Sequence, residues 1–457
     1  RQMAGRTEAL VFLRKPDPAL AQKYLDATQR YLNMYEQLLG AYPYQKFALV
    51  ENFWETGYGM PSFTLLGPKV IRFPFILHSS YPHEILHNWW GNGVYVDYDN
   101  GNWAEGLTTY LADHLIKEQR QQAAAYRRTT LEGYTNYVRD QTDFPLTAFR
   151  GRHSSVTQAV GYGKTLFLFH MLRRQLGDRA FINGLRDFYK THRFSKASFA
   201  DVEKAFSKHS PKPLNNFFQQ WVQRAGAPAL RVQQATTTAM KKDYRLDFTL
   251  AQTQAAAPYQ LRVPIAVHMH GVATAYQTEV VLNSKQQAFS LALPARPLQL
   301  NIDPEFDVFR RLHHKEIPAT VSQAFGAERA LIVLPAAASA QQQQAYKKLA
   351  KSWQQGRNRQ IDIRLDNTLS SLPSDRMVWL FGWENRFRSQ LQIALSEFNF
   401  KDNNDEVLLN NKPIQRTQHS MVVLARHPEN PQQAMAWLAS DNVAALPGLA
   451  RKLPHYG

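Results

Sequence analysis

The chain has 457 residues, no cysteine, and 54 lysines and arginines against 37 aspartates and glutamates, a net charge of +17. That length suits about three domains, each able to bury a core, and the lack of thiols excludes disulfides, cysteine nucleophiles and thiolate metal sites. No run approaches the ~18 apolar residues of a membrane-spanning helix. The basic residues are scattered and no nucleic-acid motif accompanies them, so the surplus reads as a solvated surface and no nucleic-acid partner is expected.

In chain order, the opening RQMAGRTEALVFLRK is not a signal peptide and has no initiator methionine, which suggests a processing or truncation boundary. Residues 17 to 39 carry Leu20, Tyr24, Tyr31, Tyr35 and Leu38 at helical spacing, stopped by Gly40. KFALVENFW and the stretch from Phe63 to Leu77 read as strands of a small sheet lobe.

HEILHNWWGN, His83 to Asn92, follows. On a helix, positions i and i+4 share a face, so His83 and His87 can turn a ring nitrogen toward one zinc ion with Glu84 beside them as a base. Chance produces this motif in roughly one such chain in a hundred. A catalytic zinc takes three protein ligands. The segment NWAEGLTTYLADHLIKEQR opens a second helix near Trp103, with Leu107, Leu111 and Leu115 on one stripe and Glu105 in its first turn. Glu105 would complete a His-His-Glu set of the thermolysin kind, with Asp97, Asp99 and Asp113 as rivals.

From Thr108 to about Trp221 the pattern is mostly helical, and Ser198 is a candidate cap for SFADVEKAFSKHS. After Pro228 the period changes to two in YRLDFTLAQ, LRVPIAVHMH and TEVVLN, and with QLNIDPEFDVFRRL this argues a β-sandwich. From about residue 316, ALIVLP, the helix around QQQQAYKKLAKSW, IDIRL, MVWLFGW, RFRSQLQIALSE, SMVVLARHP, QQAMAWLAS and a helix ending at Lys452 give an α/β layer domain. FGWENRF matches no motif of known chemistry.

Three segments, HEILHNWWGN with WAEGLTTYLADHL, AVGYGKTLFLFHMLRRQLGD at 159 to 178, and FFQQWVQRAGAPAL at 217 to 230, resemble in their order the zinc aminopeptidases of the membrane alanyl aminopeptidase type. The resemblance covers roughly residues 1 to 310. It implies an α+β multidomain chain: a thermolysin-like zinc peptidase domain over 1–229, a β-sandwich over 230–315, and, outside the resemblance, an α/β accessory domain over 316–457. It further implies one Zn2+ per chain held by His83, His87 and Glu105, Glu84 as general base, Tyr162 as oxyanion donor, and a peptide substrate. The α/β domain is the expected surface for a protein partner, and the resemblance suggests an extracytoplasmic bacterial setting.

Two departures stand out. The spacing between His87 and Glu105 is one residue shorter than the family pattern. Where the family has G-x-M-E-N, whose glutamate anchors the substrate's free amine, this chain has Gly57, Tyr58, Gly59, Met60 and then Pro61. Proline offers neither charge nor N–H. Gly59 and Met60 remain as substrate-facing candidates, and Glu51 and Glu55 are the acids able to substitute. The expected function is zinc-dependent peptide hydrolysis, with a noncatalytic zinc-bearing scaffold of the same fold as the alternative.

Overall fold

The computed structural model describes every residue except 56, 356–359, 396–399, 403–405, 410–411 and 456–457. The chain is an α+β multidomain protein that divides into two compact units, residues 1–134 with 138–311, and residues 135–137 with 312–457.

In the first unit, a mixed sheet of five strands has the order β1 (Gln2–Ala4), β2 (Thr7–Phe12), β3 (Lys46–Glu51), β5 (Phe63–Leu66), β4 (Gly57–Met60). Helix α1 (Pro18–Leu39) starts where Asp17 accepts the Leu20 N–H at 3.0 Å and Pro18 takes a position that needs no donor. It stops at Gly40, whose φ of 111° lies outside the comfortable range of other residues. Its buried stripe runs through Tyr24, Tyr31, Leu32, Tyr35 and Leu39, so Leu39 takes the place expected of Leu38.

The strand expected from Phe63 to Leu77 ends at Leu66; the chain then turns through the 3-10 segments Val70–Arg72 and Pro74–His78. Gly67-Pro68 and Pro74 explain this, since proline cannot donate to a ladder.

Two further helices bear the candidate ligands, α2 (Ser80–Leu86) and α3 (Ala104–Thr109). Trp89, Trp90 and Trp103 are fully buried, and the latter two meet the helix Asp178–His192 through Phe188, whose ring lies 5.9 Å from Trp90 and 5.0 Å from Trp103. Truncating a buried aromatic of this size costs ~3–5 kcal/mol, so this cluster fixes the connection between α2 and α3. Ser198 and Asp201 form a reciprocal capping box at the start of Phe199–Ser207.

Among the described residues the α-register slips three times into π turns, at Tyr110–His114, Ala159–Lys164 and Gln219–Gln223. The leucine stripe of the second helix assumes an unbroken α-helix; the first π turn interrupts it, and Leu115 is only partly buried. Beyond Pro228 lie two three-stranded antiparallel sheets. One pairs Leu261–Met269 with Tyr276–Leu282 and Pro297–Ile302; the other pairs Tyr244–Gln252 with Leu230–Ala239 and Gln286–Leu293.

The second unit holds a five-stranded sheet in the order Gln360–Leu365, Arg329–Leu334, Met377–Phe381, Ala434–Ala439, Met421–Arg426, parallel except for the last. RALIVL, MVWLF and AMAWLA are continuous apolar runs because both faces are covered: Ile332, Trp379 and Ala436 pack on one side, Val333, Leu380 and Trp437 on the other. Helix Ala340–Gln355 buries Tyr346 and Trp353 on the first side. Of RFRSQLQIALSE, Arg388–Ala394 is helical, and Ser396 and Glu397 lie outside the described residues.

Candidate metal centre

His83 sits in the last turn of α2 and His87 caps it in helical geometry, so their rings share one face with centroids 4.8 Å apart. Glu105 reaches them from the first turn of α3, its Oε2 lying 3.6 Å from His83 Nε2 and 3.5 Å from His87 Nε2. One donor atom from each of the three residues falls within 4.8 Å of the others, the only such group among the described residues.

The outer ring nitrogens decide which atoms face inward. His83 Nδ1 lies 2.8 Å from Asp113 Oδ2 and His87 Nδ1 lies 3.0 Å from the Trp90 carbonyl. Both partners accept, so each Nδ1 carries a proton and each Nε2 offers its lone pair to the centre. Glu105 Oε2 is buried and has no hydrogen-bond partner, a costly arrangement unless a cation meets it. Two imidazole lone pairs and one bare carboxylate oxygen are the donor set that fits a zinc ion.

Burial alone would raise the Glu105 carboxyl, but the two imidazoles beside it hold it well below the usual carboxylate range. Burial likewise opposes charge on the histidines, and the carboxylates outweigh it: Asp113 chiefly raises His83, and Glu105 raises His87. Protons therefore compete with a metal from a pH above the ordinary imidazole value of about 6.5. Zinc affinity should fall as pH drops through that range, with up to about two protons displaced per ion. Calorimetry in buffers of different ionisation enthalpy measures that number, and a pH-independent affinity would contradict it.

Asp97 accepts from Asn100 within its own turn, Asp99 is exposed, and Asp113 is engaged with His83, so none of these rivals joins the converging set. The side chain of Tyr162 comes from the π turn Ala159–Lys164. Burial, then the charges of Glu105 and Glu84 that its hydroxyl faces, push its pKa far up, keeping it a donor at any physiological pH. Gly106 explains the proximity of these groups: a Cβ there would come within 2.2 Å of Thr165 Cβ, so only glycine lets α3 lie against the chain just beyond Tyr162. The next lysine in that motif is structural. Lys164 is buried and donates to the carbonyls of Arg224, at 2.6 Å, and Gly226, joining G-Y-G-K to the Q-R-A-G-A-P segment.

Glu84 lies under strand β4. A Cβ on Gly59 would come within 2.8 Å of Glu84 Oε2 and 3.1 Å of His87 Cβ, so the strand can approach the base this closely only with glycine there. Asn88, which sequence reasoning missed, holds that hairpin: its Oδ1 accepts the Ser62 N–H at 2.7 Å and the Tyr42 hydroxyl at 3.2 Å. The available signal was a polar residue inside the apolar run around the motif. Met60 is partly buried at the end of β4.

Neither acid proposed in place of the missing anchor is unengaged. Glu51 pairs with Arg72 at 2.5 Å and accepts the Arg14 N–H at 2.9 Å, and Glu55 accepts the N–H groups of Lys69 and Val70. Both carboxylates bind the chain's own groups.

Two histidines from one helix and a glutamate from the next, with a second glutamate beside them, form a candidate metal site with the pattern of the HExxH-plus-Glu class. Residues 78–221 match the profile of the Peptidase family M1 domain. The chain is 27% identical over 165 residues to Aminopeptidase N of Lactococcus lactis, covering 32% of this chain and 18% of that protein. It is 22% identical over 298 residues to Probable aminopeptidase 2 of Sulfurisphaera tokodaii, covering 61% and 37%. It is 23% identical over 231 residues to the Alanine/arginine aminopeptidase of Saccharomyces cerevisiae, covering 46% and 25%. The chain thus spans well under half the length of each of these relatives.

Proposed function

We propose that this protein is a zinc metallopeptidase that removes residues from peptide amino termini, with one zinc held by His83, His87 and Glu105. The observation that carries the reading is the convergence of two Nε2 lone pairs on the unpartnered Glu105 oxygen, beside a glutamate that is not part of the ligand set. In this reading residues 1–229 are the thermolysin-like catalytic domain, and the two sheets beyond Pro228 are the sandwich that follows it. Residues 316–457 are an accessory module for a protein partner; their described residues hold no group of three metal-ligating side chains.

A zinc ion in such a site supplies a Lewis acid that polarises the scissile carbonyl and brings the pKa of water toward 7. The remaining work falls to side chains. Glu84 takes the proton of the attacking water and delivers it to the leaving amine. Tyr162 donates to the oxygen that gains charge as the carbonyl becomes tetrahedral, a contact worth roughly 3 kcal/mol. Strand β4 is the edge of its sheet and lies against Glu84, so an extended substrate can pair with it and present its carbonyl there.

Digestion of a mixed pool of free and N-acetylated peptides by zinc-loaded protein, read by mass spectrometry against Glu84→Gln, tests this function. Loss of residues from free amino termini alone is expected. Cleavage of both pools would make it an endopeptidase, in keeping with Pro61 and the engaged Glu51 and Glu55. Absence of Glu84-dependent cleavage would favour a zinc-bearing scaffold.

A further inference from the structure

Two neighbours on the π turn Tyr110–His114 serve different partners. Asp113 meets His83 at 2.8 Å, while His114, fully buried, accepts a hydrogen bond from Arg127 Nη1 at its Nε2, also at 2.8 Å. Arginine can only donate, so the His114 ring is neutral and held as an acceptor.

Arg127 is buried on helix Ala123–Tyr137, and the rest of its guanidinium grips the loop after strand Pro297–Ile302. Its Nε donates to the carbonyls of Glu305 and Phe306 at 3.2 and 3.1 Å, and its Nη2 donates to Glu305 at 2.9 Å and pairs with Asp307 at 3.0 Å. That loop is firmly set. Asp303 and Phe306 adopt positive φ, and the Asp303 carboxylate accepts the Asp307 N–H at 2.6 Å and Arg310 Nε at 2.8 Å. Asp307 is further held by His170 at 2.9 Å and Arg174 at 3.4 Å.

A π turn is an α-helix carrying one extra residue, and such a turn can relax by slipping a residue. A slip of one position rotates a side chain by about 100°, enough to carry Asp113 away from His83. We propose that Arg127 is a positioning residue for the metal centre: by clamping His114 to the 303–307 loop it fixes the π turn and so holds Asp113 on His83. The proposal rests on the reading of His83, His87 and Glu105 as a metal site.

The test is a double-mutant cycle on the full chain, with zinc affinity measured by competition against a chromophoric chelator and folding checked by thermal melts. Arg127→Gln and Asp113→Ala should each weaken zinc binding by about 10–100-fold, as outer partners of ligating histidines do. If Arg127 acts through Asp113, the double variant binds zinc no more weakly than Asp113→Ala alone. Arg127→Lys, which keeps the charge near Asp307 and loses the fork, should fall between, and it carries the same cycle if Arg127→Gln does not fold. Equal factors for the Arg127 change with and without Asp113, or an affinity within about twofold of wild type, would overturn the proposal. A wild-type chain that binds no zinc would remove the metal-site reading and the proposal with it.

Discussion

Glu84→Gln should bind zinc as the wild type does and lose on the order of a thousandfold in kcat, about 4 kcal/mol of barrier, with little change in KM. Glutamine has the size of glutamate and fits beneath β4, where a Cβ on Gly59 would already be only 2.8 Å from the carboxylate. It cannot accept a proton at neutral pH. Because Glu84 stands outside the three converging candidate ligands, the metal content of this variant separates the roles. Loss of zinc together with activity would make Glu84 a ligand, and full activity would remove it from the reaction.

Glu105→Ala should have the opposite signature, a chain that folds and loses its metal. Structural zinc sites gain ~10–16 kcal/mol from four ligands, roughly 3 kcal/mol each, so removing one should weaken binding by about two orders of magnitude. The substitution also takes away the negative charge that Tyr162 faces, and its phenol should then titrate at lower pH. Dialysis against buffered zinc with metal analysis gives the affinity. Unchanged zinc occupancy would return the search for a third ligand to Asp97, Asp99 or Asp113.

Much of this centre is legible in the sequence because its geometry is local. The i, i+4 spacing of His83 and His87 requires only a helix, and the first-turn place of Glu105 requires only a second one. The helix from Pro18 to Leu39 and the period-two strands beyond Pro228 are readable for the same reason: a cap, a stop and a period suffice. What escapes such reading depends on contacts across the chain. The tautomers of the two histidines depend on Asp113 and the Trp90 carbonyl, and the first of these partners depends on a π turn that no periodicity announces. Asn88 matters because a hairpin from residues 57–66 folds over it. Glu51 and Glu55 look available until Arg72, Lys69 and Val70 are brought to them by turns in a stretch that reads as a single strand.

The most direct test of the central claim is a zinc titration of chelator-stripped protein, with peptide hydrolysis and bound metal followed together in the wild type and in Glu84→Gln. Hydrolysis by the wild type should rise in proportion to zinc and level off at about one equivalent, while the variant takes up the same zinc and stays inactive. Hydrolysis by stripped protein, or equal hydrolysis by both proteins at equal zinc, would contradict the account.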